Sequence, residues 1–350
     1  ASRHHCYNLK RLNRRLGTLR KAIGYLDSAN QNRCDYRLPG WIASTPRGRQ
    51  QQLARCRAGK KRLLDQIAQN RERPRKYRRN EEAMVISLTD PDAVFGKDKQ
   101  KVYAANYNTQ YMVACDSDVI VCYGIYAQTN DSGLLAPMIE KTQRIINGRL
   151  KSVHADRGYC SLLELLDCQR LDVELLAPVQ DHSSCNANRS SRGKPLFTQK
   201  DFEFSREGGC CRCPAGHPMP RRSRGRKPRA DGRFVVEVRF EQSADRCSQC
   251  PLASRCLQPN GKRRTVTRLD GQEHLDKQKA KMETQRGKQS MAIRARTVER
   301  IFGDGKQHRN QQEQNGRGLD RVRAEVGLLV VAQNSLRLYN LDKNRRSNGP

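Results

Sequence analysis

Three hundred and fifty residues suffice for one large domain or two to three ordinary ones, but 36% hydrophobic and 5% aromatic residues with a single Trp cannot be core throughout. No apolar run, the stretch around Gly327 to Ala332 included, approaches the ~18 residues of a membrane helix, and the basic, polar start has no secretory h-region. Sixty-eight Lys and Arg against 36 Asp and Glu leave +32, an excess that points to a polyanionic partner, nucleic acid first. Fourteen Cys without an export signal read as reduced thiols or metal ligands, not as a disulfide framework. Membrane, secreted and acidic-tail classes are thereby excluded, and a cytoplasmic location is expected.

The charge is uneven. Residues 1–80 hold 22 basic against 4 acidic residues (+18), residues 81–180 hold 9 against 14 (−5), and the remainder carries +19. Leu9, Leu12, Leu16, Leu19, Ile23 and Leu26 recur at helical spacing, predicting an amphipathic helix over 8–28 with a basic outer face. A second helix is predicted over 49–69, carrying Leu53, Leu63, Leu64 and Ile67, with Pro39 and Pro46 between the two and a basic linker at 71–80. Two readings of this region stand side by side: contact with a DNA backbone, and a helical hairpin or dimerisation surface.

From Met84 the pattern changes. Strands are predicted over 84–88, 107–115 and 119–127, the last two joined by an Asp116-Ser117-Asp118 turn. A helix over 132–147 with a Ser N-cap, interrupted early by Pro137, comes next. It leads to a strand over 152–156, a helix over 161–170 and a strand over 172–177. The order β-β-β-α-β-α-β predicts an α/β unit, a mixed sheet with helices packed on it. Asp90 ends the first strand and Asp156 the fourth, where loops give access to substrate, although Asp at a strand end is also an ordinary turn former or cap. Farther on, Glu299 lies in a helix-favouring stretch with Lys306 two turns along the same face. A strongly amphipathic helix over 317–338 turns Leu319, Val322, Val326, Leu329 and Val330 to a core. Alone, Glu299 would be an ordinary surface carboxylate.

The segments SLTDPDA (87–93), AANYNTQ (104–110), TNDSGLLAPM (129–138), HADRGY (154–159), CPAGH (213–217), CSQCPLASRC (247–256) and VERIFGDGK (298–306) are more specific together. In this order the chain, over about residues 85–340, resembles DDE-type transposases of bacterial insertion sequences, in the branch with a cysteine-containing insertion before the last acid. The resemblance implies an RNase H-like fold whose three acids would be Asp90, Asp156 and Glu299, separated by 66 and 143 residues. Asp92 is the rival for the first acid, and Asp131 matches a recurring family Asp, read as a helix-start cap or a support for the acids. Lys306 matches the family's phosphate-holding basic residue seven after the Glu, and Arg157 and Arg300, beside two of the acids, complete the expected DNA contacts. The family's Tyr and Arg ahead of the Glu have no clear counterpart, although Arg296 lies three before Glu299.

Phosphodiester cleavage of this kind needs an activated hydroxyl and stabilised charge on the phosphate, which two Mg²⁺ (or Mn²⁺) ions ~3.5–4 Å apart supply. Such hard cations take carboxylate oxygens. The expected organisation is a basic helical region at 1–80, an RNase H-like catalytic domain at 81–180 and 291–340, a cysteine-containing insertion at 181–290 and a tail at 341–350. The insertion opens with a polar stretch at 182–195 that is expected to be mobile. It also holds a basic loop at 221–233 and a strand at 234–240. Cys213, Cys247, Cys250 and Cys256, with Cys210, Cys211 and His217 as substitutes, are candidate ligands of a structural Zn²⁺, and a cluster of buried thiols is the alternative. Cys115, Cys122, Cys160 and Cys168 fall on strand or helix patterns and are assigned to the core.

The leading expectation is therefore a transposase that cleaves element ends and joins them to target DNA, with a homodimer implied by the family resemblance. Two others stand beside it: a non-catalytic, decayed or repurposed DNA-binding protein with a zinc module, and an RNase H-like nuclease without strand transfer. The amino-terminal DNA-recognition region usual in the family is not evident, and a chain opening on Ala1 is expected to be a shortened form.

Overall fold

The computed structural model describes residues 6–29, 39–97, 103–179, 196–205, 209–229, 231–258, 260–311 and 313–347. The polar stretch at 182–195 lies outside them. In chain order the elements are β1 (Cys6–Tyr7), α1 (Leu9–Ala29), α2 (Pro46–Glu72), β2 (Ile86–Ser87), β3 (Val94–Lys97), β4 (Tyr103–Asn106), β5 (Asn108–Val113) and β6 (Ile120–Tyr126). Then come α3 (Leu135–Ile146), β7 (Ser152–His154), α4 (Leu162–Arg170), β8 (Glu174–Leu176), β9 (Glu203–Phe204), β10 (Cys211–Arg212), β11 (Pro218–Met219), β12 (Arg221–Pro228) and β13 (Phe234–Glu241). Two short helices, α5 (Ala244–Ser248) and α6 (Ala253–Cys256), precede β14 (Thr265–Leu269), α7 (Gln272–Glu283) and α8 (Gln285–Arg294). A π-helical turn (Ala295–Glu299), α9 (Arg300–His308) and α10 (Leu319–Ser347) close the chain. The chain divides into two compact units, residues 1–131 with 300–350, and residues 132–299.

In the first unit α1 and α2 pack on each other through one core, which fits the helical-hairpin reading and leaves the DNA-contact reading open. The leucine stripe of α1 is fully buried at Leu12 and Leu19, and packs with Leu53, Leu63, Ile67 and Ile86. Leu64, one position out of phase with that face, is exposed. Thr45 caps α2 through the Gly48 N–H, and Pro46 occupies the first turn, where no intrahelical donor is lost. The basic run at 71–80 is no free linker: Arg71 grips Glu81 at 2.7 Å, and Asn70 both donates to and accepts from the Arg79 backbone.

A second core joins Tyr111, Ile120, Ile125 and Ile301 to Val322, Val326 and Val330 of α10. The Val322, Val326 and Val330 part of the expected stripe is therefore buried, whereas Leu328, Val331, Leu336 and Leu338 of the same helix are exposed, and the helix runs on to Ser347, through most of the expected tail. Asn334 takes the place of a neighbouring strand, exchanging 2.9 Å hydrogen bonds with the N–H and C=O of Ile120. Gly327 admits the phenol of Tyr123, whose oxygen would lie 2.6 Å from an added Cβ.

In the second unit β7 and β8 pair in parallel through the α4 crossover, as expected of a βαβ element. The α3 helix begins at Leu135 with no side-chain cap, so the expected Ser cap is not formed, and Pro137 sits in the first turn, where it breaks no intrahelical bond. A different correction concerns residues 221–233, expected as a loop. Arg221–Pro228 is a strand, the outer member of the β12-β13-β14 sheet. Beneath it lies a core of Phe202, Cys211, Met219, Val238, Phe240, Cys256 and Val266.

The architecture is mixed α/β, but its strands pair in sets of two or three, and no ladder among the described residues joins β5-β6 to β7-β8. An antiparallel β3-β4 pair, which the sequence pattern does not announce, is one of these two-stranded sets.

Candidate active site

Asp90 lies in the first unit, just past β2, and is almost wholly buried. Its N–H is held by Ser87 Oγ at 3.1 Å, which fixes the turn that carries it. One carboxylate oxygen accepts from Tyr107 Oη at 2.6 Å and from the Gly318 N–H at 3.2 Å, at the start of α10. The Tyr107 bond has the short length of an O–H···O⁻ pair. Burial, with the Asp90 carboxylate next in weight, pushes the Tyr107 phenol far above its ordinary pKa, so it stays protonated and donating.

The rival Asp92 is differently occupied. It accepts the Leu319 N–H at 3.2 Å, as a capping residue of α10, and faces Arg62 at 3.6 Å. Asp131 does not cap α3. One of its oxygens receives both Asn108 Nδ2 and Gln110 Nε2 at 2.9 Å, so the TND and YNTQ motifs are parts of one hydrogen-bonded group in this unit.

Asp156 and Glu299 lie in the second unit. Asp156 follows β7 and caps a short turn, its Oδ1 accepting the Gly158 N–H at 2.8 Å. Its strand is tied to α8 by a 2.6 Å bond between His154 Nδ1 and Ser290 Oγ. Glu299 closes the π-helical turn. Between the two carboxylates stands Arg294, with one guanidinium nitrogen 2.6 Å from Glu299 Oε1 and the other 3.6 Å from Asp156 Oδ2. The two acids, 143 residues apart in sequence, thus share one cation. Arg294 is not among the residues that the sequence singles out, where Arg296 stands only as the arginine three before Glu299. In the π turn the residue five before Glu299 meets it, a spacing that an α-helical reading does not test. Thr297, fully buried, steadies this turn through a 2.9 Å bond to the Ile293 carbonyl.

Of the expected DNA contacts, Arg157 lies exposed in the turn after Asp156 and Lys306 is exposed on α9 beside the Phe302 ring. Arg300 is bound to Asp118 at 2.6 Å, a carboxylate that Arg337 shares at 3.1 Å.

Among the cysteines, Cys213, Cys247, Cys250 and Cys256 line one small cavity of the second unit with His217. Cys213 opens a tight turn in which Gly216, at φ +80°, returns its N–H to the Cys213 carbonyl. Burial pushes the Cys256 thiol up to about 11, and its neighbours Cys247, Cys213 and Cys250 act in the same direction, against Arg264. Among the described residues no three Cys, His, Asp or Glu side chains already stand close enough together to hold a metal ion. Cys122, Cys160 and Cys168 are buried as expected, whereas Cys115 is exposed. No helix among the described residues is long and apolar enough to cross a membrane.

No curated protein and no solved structure matches the chain. The family model of the transposase DDE domain matches residues 212–339, a shorter stretch than the 85–340 over which the motifs run. It takes in Glu299, Lys306, Arg294 and the four cysteines of the cavity and stops short of Asp90 and Asp156. The resemblance carried by the motifs therefore holds: this chain is similar to DDE-type transposases.

Proposed function

We propose that the protein is a transposase that cuts the DNA ends of an insertion sequence and joins them to target DNA, using Asp90, Asp156 and Glu299 as the ligands of divalent cations. The observation that carries this reading is the pairing of Asp156 with Glu299 across Arg294. Two acids singled out by the family resemblance, far apart in the chain, pair with the same guanidinium, which supports the reading. The donor set fits the cation, because all three are carboxylates and hard Mg²⁺ or Mn²⁺ takes oxygen. Bound there, such a pair of ions would neutralise charge at the phosphate and activate a water or the 3′-hydroxyl of a DNA end.

The chain's own residues do the rest. Tyr107 and the Gly318 N–H hold one Asp90 oxygen and fix the carboxylate plane, leaving the other oxygen for ligation. Asp156 likewise commits Oδ1 to its turn and presents Oδ2. Arg157 and Lys306 would neutralise DNA phosphates, with the basic face of α1 and α2 adding affinity without reading bases. In this reading residues 81–180 and 291–340 form an RNase H-like catalytic domain, acting as a homodimer on paired DNA ends.

Cys213, Cys247, Cys250 and Cys256 are the proposed holders of a structural Zn²⁺, supported by their sharing one cavity. Ligation would draw the four sulfurs closer than they stand here. Zinc content of the purified protein, set beside that of Cys250→Ser, tests this assignment separately.

The experiment for the main reading is Mg²⁺- or Mn²⁺-dependent nicking of terminal inverted-repeat DNA by the wild type and by Asp156→Asn. Nicking and joined products from the wild type alone are expected. Equal activity in both removes the three-acid assignment, binding without cleavage points to a non-catalytic DNA-binding protein, and cleavage without joined products points to a nuclease.

A further inference from the structure

Arg294 is the least exposed member of its trio, with 19% of its side chain accessible against 43% for Asp156 and 55% for Glu299. One guanidinium therefore sits inward of two carboxylates that both face water. Among the described residues, Arg294 is the cation that pairs with both Glu299 and Asp156 Oδ2. Like-charged carboxylates held near one another need a cation, and a planar guanidinium with two free edges can serve both at once.

The arrangement is built rather than incidental. A π turn, locked by Thr297, places residue 294 under residue 299, and the His154–Ser290 bond fixes the strand of Asp156 against the helix of Arg294. Turns of this kind recur at functional sites.

We infer that Arg294 is a stand-in cation: it holds Asp156 and Glu299 together in the metal-free protein and gives them up when a divalent ion binds. The inference rests on the reading of these acids as metal ligands. A guanidinium that must leave its carboxylates competes with the incoming ion, so removing its charge tightens metal binding. A purely structural arginine has the opposite effect, because its loss lets the two acids drift apart.

The test measures Mn²⁺ affinity of the DNA-free full chain by the electron paramagnetic resonance signal of free Mn²⁺, for the wild type, Arg294→Gln, Arg294→Lys and Asp156→Asn. Removing one positive charge a few ångströms from a partly exposed site is expected to tighten binding about tenfold in Arg294→Gln. Arg294→Lys, which keeps the charge, should stay near the wild type, and Asp156→Asn should bind far more weakly. Unchanged or weaker binding by Arg294→Gln, with Asp156→Asn still impaired, overturns the stand-in role and leaves the metal reading intact. Equal binding by the wild type and Asp156→Asn overturns the metal reading, and the inference with it.

A second measurement needs no variant. Phenylglyoxal labelling of the wild type, read by peptide mass spectrometry, should modify Arg294 several-fold faster once Mg²⁺ is added. Labelling of Arg294 that ignores Mg²⁺ contradicts the displacement.

Discussion

Tyr107→Phe removes one oxygen and should reveal how Asp90 is held. The lost bond is a 2.6 Å contact from a phenol to a buried carboxylate. Hydrogen bonds to charged groups contribute ~1.5–3 kcal/mol. The Gly318 N–H remains as a second donor on the same oxygen at 3.2 Å, which places the expected loss near the middle of that range, at about 2 kcal/mol. For a unit of this size each kcal/mol moves the midpoint by about 2–4 °C, so thermal unfolding followed by circular dichroism should fall by about 4–8 °C. In an Asp90→Ala background the same substitution should cost less than about 0.5 kcal/mol, because its partner is gone. Equal losses in both backgrounds would mean that the ring packs rather than bonds, and would refute the account of Asp90 as a carboxylate oriented by a phenol.

Other expectations follow from the packing. An added Cβ at Gly287 would lie 2.5–2.6 Å from the Met282 backbone, which cannot swing aside, so Gly287→Ala should destabilise the α7–α8 corner by about 1–3 kcal/mol in urea unfolding. Burial pushes Cys160 and Cys211 up to about 11 and Cys168 to about 12, from an ordinary 9.0. Their folded thiols keep protons that the unfolded chain releases first, so their contribution is complete below pH 9 and lost as pH rises toward 11–12. Urea midpoints should therefore drop between pH 8 and pH 11, and a flat profile contradicts the burial of these thiols. Arg221 and Arg226 lie on the exposed β12 strand; if that strand touches DNA, replacing both with Ala should lower the slope of log affinity against log salt by about two.

Much of this was legible from periodicity. The leucines of α1 and the valines of α10 repeat at helical spacing, and both helices stand where the repeat placed them, because one face of each is buried. The β5-β6 hairpin was equally clear from two apolar runs around an Asp-Ser-Asp turn. The β12 strand was hidden because nearly all its side chains face solvent, leaving no alternation to detect. It is a strand because Phe234–Glu241 pairs with it, and Arg224 and Lys227 find Asp270 and Glu237. A single continuous sheet was inferred from element order, which does not encode which strands pair. At the site, motif residues identified Asp156 and Glu299, but Arg294 could not be found by counting three or four back along an α-helix, since the π turn adds a residue to the step. Asp131 was visible as a motif residue, although its service to Asn108 and Gln110 depends on a strand partner distant in sequence.

Asp90, Asp156 and Glu299 are proposed to serve the same cations. The most direct test loads the protein with Fe²⁺ in place of Mg²⁺, adds ascorbate and peroxide, and maps where the nearby backbone is cut. The account predicts cuts close to residues 90, 156 and 299 in one sample, all suppressed together by excess Mg²⁺. Cuts confined to one of these segments, or indifferent to Mg²⁺, would contradict it.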